Sequence, residues 1–315
     1  MNRKSWIICS IGFILVAGFI IFEIKTPNSA LKKVAGSSST LPEFSDKALI
    51  KPPVKSTTYS DPYINAKAVF LIDAASAYVL YEKNFELKVP IASTTKIMTA
   101  TVVLDNYADR LDDVVTITPP MVNVEGSDIQ LSVGEKIKVR DLLKGLLIMS
   151  GNDTAYALAL HFGGKEAFVK EMNDKAVFLG LSSTYYQCPA GLDDEGYSNA
   201  RDLAMLTSYA LKNPMFNQIV KTSETTITSV DGKFTHELKN SNRLVRIDEA
   251  SYLPFAIGVK TGFTNAAGHC LVSSAVENNH QIIGIVLNTN ENTITASAKE
   301  SKKLLEWGYA NWNWN

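Results

Sequence analysis

Cysteine is nearly missing from this chain. Its 315 residues carry three, and Cys9 lies inside an apolar run, which leaves Cys188 and Cys270 for all that follows. Two cysteines make no disulfide framework, although a single Cys188–Cys270 bond stays open in an oxidising compartment. Histidine is almost as sparse: His161, His236, His269 and His280 are scattered, with neither H-x-x-x-H nor C-x-x-C spacing anywhere. Neither a metal site nor a cofactor is expected. A basic excess is missing too, since 31 Lys and Arg face 32 Asp and Glu. That balance excludes an ordinary nucleic-acid binder. No internal repeat of fixed period occurs.

One long apolar run is present, from Trp6 to Phe22, uncharged and preceded by Arg3 and Lys4. Residues 1–24 are therefore expected to enter a membrane, as a retained anchor or as a cleaved signal. Glu23, Ile24 and Lys25 follow the run where a cleavage site would want small residues, which favours the anchor. The basic residues in front place residue 1 in the cytoplasm and the rest outside. Residues 25–60 are rich in Ser, Thr, Pro and Lys without a sustained apolar period, and read as a flexible linker spanning roughly 30 Å. Residues 61–315 are left as the folded domain, and 46% hydrophobic content gives the chain material for a sizeable core.

Within that domain, Ala68–Ile72 and Val79–Tyr81 read as a hairpin, and Thr94–Asn106 as a helix opening at Ser93. Four further helical periods follow between Val139 and Leu211. Strand patterns return at Phe255–Thr261, Cys270–Glu277 and Gln281–Leu287, and an amphipathic helix covers Thr295–Tyr309. Strands at both ends with helices between predict an α+β fold, in which the terminal segments share one antiparallel sheet and the middle forms a helical lobe.

Three short words fall at the seams of this pattern: Ser93-Thr94-Thr95-Lys96, Ser150-Gly151-Asn152 and Lys260-Thr261-Gly262. A serine hydroxyl must lose its proton to attack a carbonyl, and a lysine one helical turn away can take it if burial and a like charge, here Lys260, keep the amine neutral. Ser150 would relay a proton towards a leaving amine, and Asn152 would bind a substrate amide. Lys260 and Thr261 would receive a carboxylate, and Gly262 would let a substrate lie close to the strand. Gly151 is expected to supply the permissive backbone of the tight turn. The pattern S-x-x-K alone is weak, and Ser29-Ala30-Leu31-Lys32 in the linker is a decoy with nothing to hold a nucleophile in place.

The three words in this order are a known signature of penicillin-recognising serine enzymes. With Pro90 to Ala100, Gly126-Ser127 to Leu131, Gly134-Glu135, Leu142 to Leu147, Gly191-Leu192-Asp193, Ala200 to Ala204 and Lys260 to Thr264, the chain resembles the D-alanyl-D-alanine carboxypeptidases, low-molecular-weight penicillin-binding proteins of the S11 class. The resemblance covers about Ala66 to Trp312. It implies a penicillin-binding/β-lactamase-like fold and an acyl-enzyme on Ser93, formed by expelling the terminal D-alanine of a peptidoglycan stem pentapeptide, with β-lactams as covalent inhibitors. It also implies an oxyanion hole from the backbone N–H groups of Ser93 and Phe263, and a substrate-binding arginine at Arg243. Many members carry a second β-domain and a C-terminal anchor helix. Here the chain stops at Asn315, so the anchor is expected at the front, on the outer side of a bacterial cell membrane. Cys188-Pro189-Ala190-Gly191-Leu192 departs from the family pattern. Two alternatives share the signature. A serine β-lactamase would need a deacylating glutamate in an E-x-x-L-N segment, which Glu166 and Glu171 do not provide; a non-catalytic penicillin or peptidoglycan sensor would have little use for the serine–lysine pair.

Overall fold

The computed structural model describes residues 51–56 and 60–314. The apolar run, most of the linker and the decoy at Ser29 lie outside these residues.

The central sheet forms because β1 (Ala66–Asp73) is apolar on both faces, a pattern that demands cover on both. Its partners are β2 (Val79–Lys83), β3 (Ala256–Thr264), β4 (Gly268–Glu277) and β5 (His280–Thr289), in the antiparallel order β2-β1-β5-β4-β3. The first strand thus pairs with the last, as Phe70 opposite Ile285 illustrates. Alternation sends Ala68, Phe70, Ile72, Ile283 and Ile285 to one side, where they join the core of the helical lobe. Val69, Leu71, Ile282 and Val286 point to the other, against Leu304 and Leu305 of the C-terminal helix. That helix spans Ala296–Asn311.

At the heart of the lobe lies α1 (Lys96–Asn106), buried from Lys96 through Leu104 on every side. Its polar residues survive burial by bonding backbone: Thr99 Oγ1 donates to Pro189 O at 2.6 Å and Thr101 Oγ1 to Ile97 O at 2.8 Å. A second helix, α2 (Asn152–His161), packs beside it. Two local details differ from the sequence expectation. Ser93 sits in a 3-10 turn, Ala92–Thr95, that precedes the α-helix. The predicted helix over 139–149 is α-helical only over Val139–Lys144, then widens into a π-turn, Gly145–Met149. Cys188 and Cys270 are both buried free thiols, so no bond joins them.

Candidate active site

Three residues per turn is the period at which side chains eclipse, so the 3-10 turn stacks Lys96 directly on Ser93. Lys96 Nζ lies 2.8 Å from Ser93 Oγ, 2.7 Å from Asn152 Oδ1 and 2.8 Å from Ala190 O. An amine has three tetrahedral neighbours here and two of them, the amide and carbonyl oxygens, can only accept. A neutral amine satisfies all three by donating twice and turning its lone pair to the Ser93 hydroxyl proton. Burial supplies the neutral form. Lys96 is wholly buried, which brings its pKa down to about 7, while Cys188 and Asp153 pull it back up. The like-charge contribution of Lys260, expected to act on Lys96, is seen on Lys260 itself: burial first, then Lys96, hold it well below the lysine range.

The second word arrives through strain. After the π-turn, Ser150 takes the left-handed conformation, φ 67° and ψ 31°, an uncommon state for a residue with a Cβ. The permissive backbone was expected of Gly151, whose φ is an ordinary −56°. Gly151 is required for space: a Cβ there would stand 2.7 Å from Asp153 Oδ1 and 2.8 Å from Thr154 Oγ1. Asn152 is held by its own backbone N–H, which donates to Ser127 O at 2.7 Å, and by Nδ2, which donates to Glu125 O at 2.6 Å. Both ends of its amide are therefore engaged, one of them on Lys96.

On the other wall, β3 is the edge strand and lies along the 3-10 turn. Gly262 makes this contact possible, since a Cβ would meet Ile91 O at 2.9 Å and Ser93 N at 3.2 Å. Lys260, expected to receive a carboxylate, is instead buried, with Nζ donating to Thr261 O at 2.9 Å. On this wall the hydroxyls of Thr261 and Ser241, 2.7 Å apart, face the cleft. Phe263 is half exposed and stacks on His269 with ring centres 4.3 Å apart.

Together these walls enclose a cleft of about 600 Å³ lined by Ser93, Ser150, Asn152, Arg243, Thr261 and Phe263. Of the nine residues the sequence singles out, Gly262 also reaches it, and Lys96 and Lys260 lie buried. A separate cavity of about 330 Å³ beside Asp105 and Tyr209 holds none of them. Among the described residues no three His, Cys, Asp or Glu side chains are grouped to hold a metal. Ser241, Arg246 and Asn292 also line the cleft and escaped the sequence reading. The signal for Ser241 was the triplet Asn240-Ser241-Asn242, whose buried asparagines cap the turn: Asn242 Oδ1 accepts from Leu244 N–H and Asn240 Nδ2 donates to Val220 O and Thr222 O. Arg243 leaves that turn paired with Glu249, a carboxylate it shares with Arg246.

The profile of S11 peptidases, described as D-alanyl-D-alanine carboxypeptidase, matches residues 55–291. The chain belongs to the S11 family of D-alanyl-D-alanine carboxypeptidases. It is 38% identical over 227 residues to a D-alanyl-D-alanine carboxypeptidase of Bacillus subtilis, covering 70% of this chain and 57% of that relative. A D-alanyl-D-alanine endopeptidase of Escherichia coli is 34% identical over 270 residues, 84% of either protein. The crystal structure of a DD-transpeptidase from Streptomyces superposes with a TM-score of 0.74 at 35% identity, covering 80% of this chain and all of that one. The fold of this S11 chain is that of the penicillin-binding DD-peptidases.

Family membership leaves one departure to explain. Cys188-Pro189-Ala190-Gly191-Leu192 works through its backbone in this S11 chain. Ala190 O holds Lys96 and Pro189 O holds Thr99. Gly191, at φ +76°, passes so near the Ser93 turn that a Cβ would lie 2.0 Å from Ala92 O. Cys188 Sγ closes the bend by accepting from the N–H groups of Gly191 and Leu192, each at 3.2 Å.

Proposed function

We propose that this protein is a serine D-Ala-D-Ala carboxypeptidase that trims peptidoglycan stem pentapeptides. Ser93 Oγ attacks the carbonyl carbon of the penultimate D-alanine while Lys96 takes the hydroxyl proton. The C–N bond then breaks as Ser150 relays that proton from Lys96 to the departing amine, giving its own and taking the one Lys96 holds, and D-alanine leaves. Water attacks the resulting ester, Lys96 again accepts a proton, and the shortened peptide departs as Ser93 recovers its own. The backbone N–H groups of Ser93 and Phe263 stabilise the oxyanion. Thr261, Ser241 and Arg243 receive the terminal carboxylate, with Lys260 contributing from behind, and Asn152 keeps Lys96 in line. The observation that carries this reading is the contact of Lys96 Nζ with Ser93 Oγ at 2.8 Å, inside a fully buried lysine environment.

A β-lactamase needs a fast deacylating base, and Glu171 is held by Asn106 and Tyr107 at the C-terminal end of α1, the end away from Ser93. β-Lactams are therefore read as slow covalent inhibitors. Residues 1–24 tether the catalytic domain, 61–315, to the outer face of a bacterial membrane through the linker. Intact mass of the protein after penicillin, together with an assay for released D-alanine, tests the proposal. A lasting single adduct with D-alanine release is expected. Rapid penicillin turnover, or an adduct without any peptide cleavage, contradicts it.

A further inference from the structure

The residue after Asn152 has no part in the steps above and is nonetheless buried, with only 2% of its surface exposed. Asp153 Oδ2 accepts the backbone N–H of Ile129 at 3.1 Å and of Leu131 at 3.2 Å, and Oδ1 accepts that of Thr154 at 2.8 Å. Burial raises its pKa above the ordinary carboxylate value, with the three N–H donors pulling it back towards the ionised form and the neighbouring Asp128 adding to the rise. Among the described residues its carboxylate meets backbone N–H groups and no cation at salt-bridge distance. A buried anion so placed calls for a reason.

We propose that Asp153 is a positioning residue of the peptidase, whose carboxylate pins the cleft wall that orients Asn152 and serves as the buried anion balancing the ammonium form of Lys96. The mechanical half follows from the bonds. The segment held at Ile129 and Leu131 runs back to Ser127 and Glu125, whose carbonyls grip Asn152 by its N–H and its Nδ2. Asn152 Oδ1 in turn grips Lys96. Gly151 keeps the carboxylate's space open, as the 2.7 Å approach of a Cβ to Oδ1 demonstrates.

The electrostatic half follows from the groups facing Lys96. Burial opposes its charged form most strongly; Cys188 and then Asp153 favour it. Lys260 is the like charge on the facing strand, coupled to Lys96. A base protonated and neutral in comparable amounts near neutral pH is the efficient one. Burial alone would leave Lys96 too weak a base, and Cys188 and Asp153 together hold it back. This inference rests on Lys96 being the general base of the proposed reaction.

The pH dependence of the second-order rate of Ser93 acylation by penicillin, measured on the full chain, separates the two claims. In the unaltered enzyme the rate should fall as pH drops through about 7. A wild type without that acid limb overturns the base assignment and this inference with it. If the limb is present, Asp153→Asn and Asp153→Ala should move it to lower pH by about one unit. Their plateau rates should fall, further for Ala, which also releases Ile129 and Leu131. A purely structural role would lower the plateau and leave the limb in place, and that outcome overturns the inference alone. Should neither variant fold, the ¹³Cγ resonance of Asp153 in the unaltered protein gives the same answer. Followed from about pH 5 to pH 9, it should step at the pH of the acid limb, and a flat trace contradicts the proposal.

Discussion

Lys96 and Lys260 each trade stability for chemistry. With a folded pKa of about 7 against an ordinary 10.5, Lys96 has lost its proton in the native state at pH values where the unfolded chain still holds one. Stability must therefore rise with pH between about 7 and 10.5, and the full cost, on the order of 5 kcal/mol, is felt at pH 7 and below. Lys260 acts in the same direction. Lys96→Met should abolish acylation and yet raise the unfolding midpoint at pH 7. The gain should be roughly 1–3 kcal/mol, once the hydrogen bonds lost at Asn152 and Ala190 are subtracted. Calorimetry checks it, and a lowered midpoint would contradict the cost assigned to burial. The identities of Ser93, Lys96, Ser150 and Asn152 were legible in the sequence because each carries a side chain that chemistry requires. Ala190 was not legible, because a backbone carbonyl leaves no mark on residue type. Arg246 was hidden for another reason: its partners Asp248 and Glu249 make it look like an ordinary surface ion pair.

At the level of elements, the site depends on two glycine contacts against the turn that bears Ser93. Gly262→Ala would push a methyl group into Ile91 O and Ser93 N, widening the gap between β3 and the turn. The expected result is a folded protein that acylates about 100-fold more slowly, the scale set by misplacing reacting groups by an ångström. Stopped-flow acylation beside a thermal melt measures both halves. An unchanged rate would mean that the turn is free to yield. Gly191→Ala is the harsher change, since its methyl would overlap Ala92 O and the backbone there is left-handed. It should cost at least about 3 kcal/mol or prevent folding. Helix and strand positions followed from apolar periodicity, yet the 3-10 turn at Ala92–Thr95 and the π-turn at Gly145–Met149 did not. Both depart from the α-helix by one hydrogen-bond register, which leaves the apolar pattern nearly untouched. Gly262 was read as making room for a substrate; the structure also places it, like Gly191, where two of the protein's own elements touch.

On the scale of the whole molecule, a sheet that joins the first strand to the last makes the domain one cooperative unit, its two faces covered by the helical lobe and by the C-terminal helix. That plan was legible because strands gather at both ends of the sequence and helices between. The strand order was not, since nothing in the apolar runs distinguishes an edge from a centre. The same closed core buries both remaining thiols, and burial pushes that of Cys270 up to about 12. A thiol reagent at pH 8 should therefore leave Cys188 and Cys270 unmodified in the native protein and label both in denaturant, whereas rapid native labelling would mean that the lobe opens. The central claim is chemical, and D-alanine release from a peptide ending in D-Ala-D-Ala tests it most directly. Release by the unaltered chain should fall by at least about 10³-fold in Ser93→Ala; release from that variant at an undiminished rate would contradict the account.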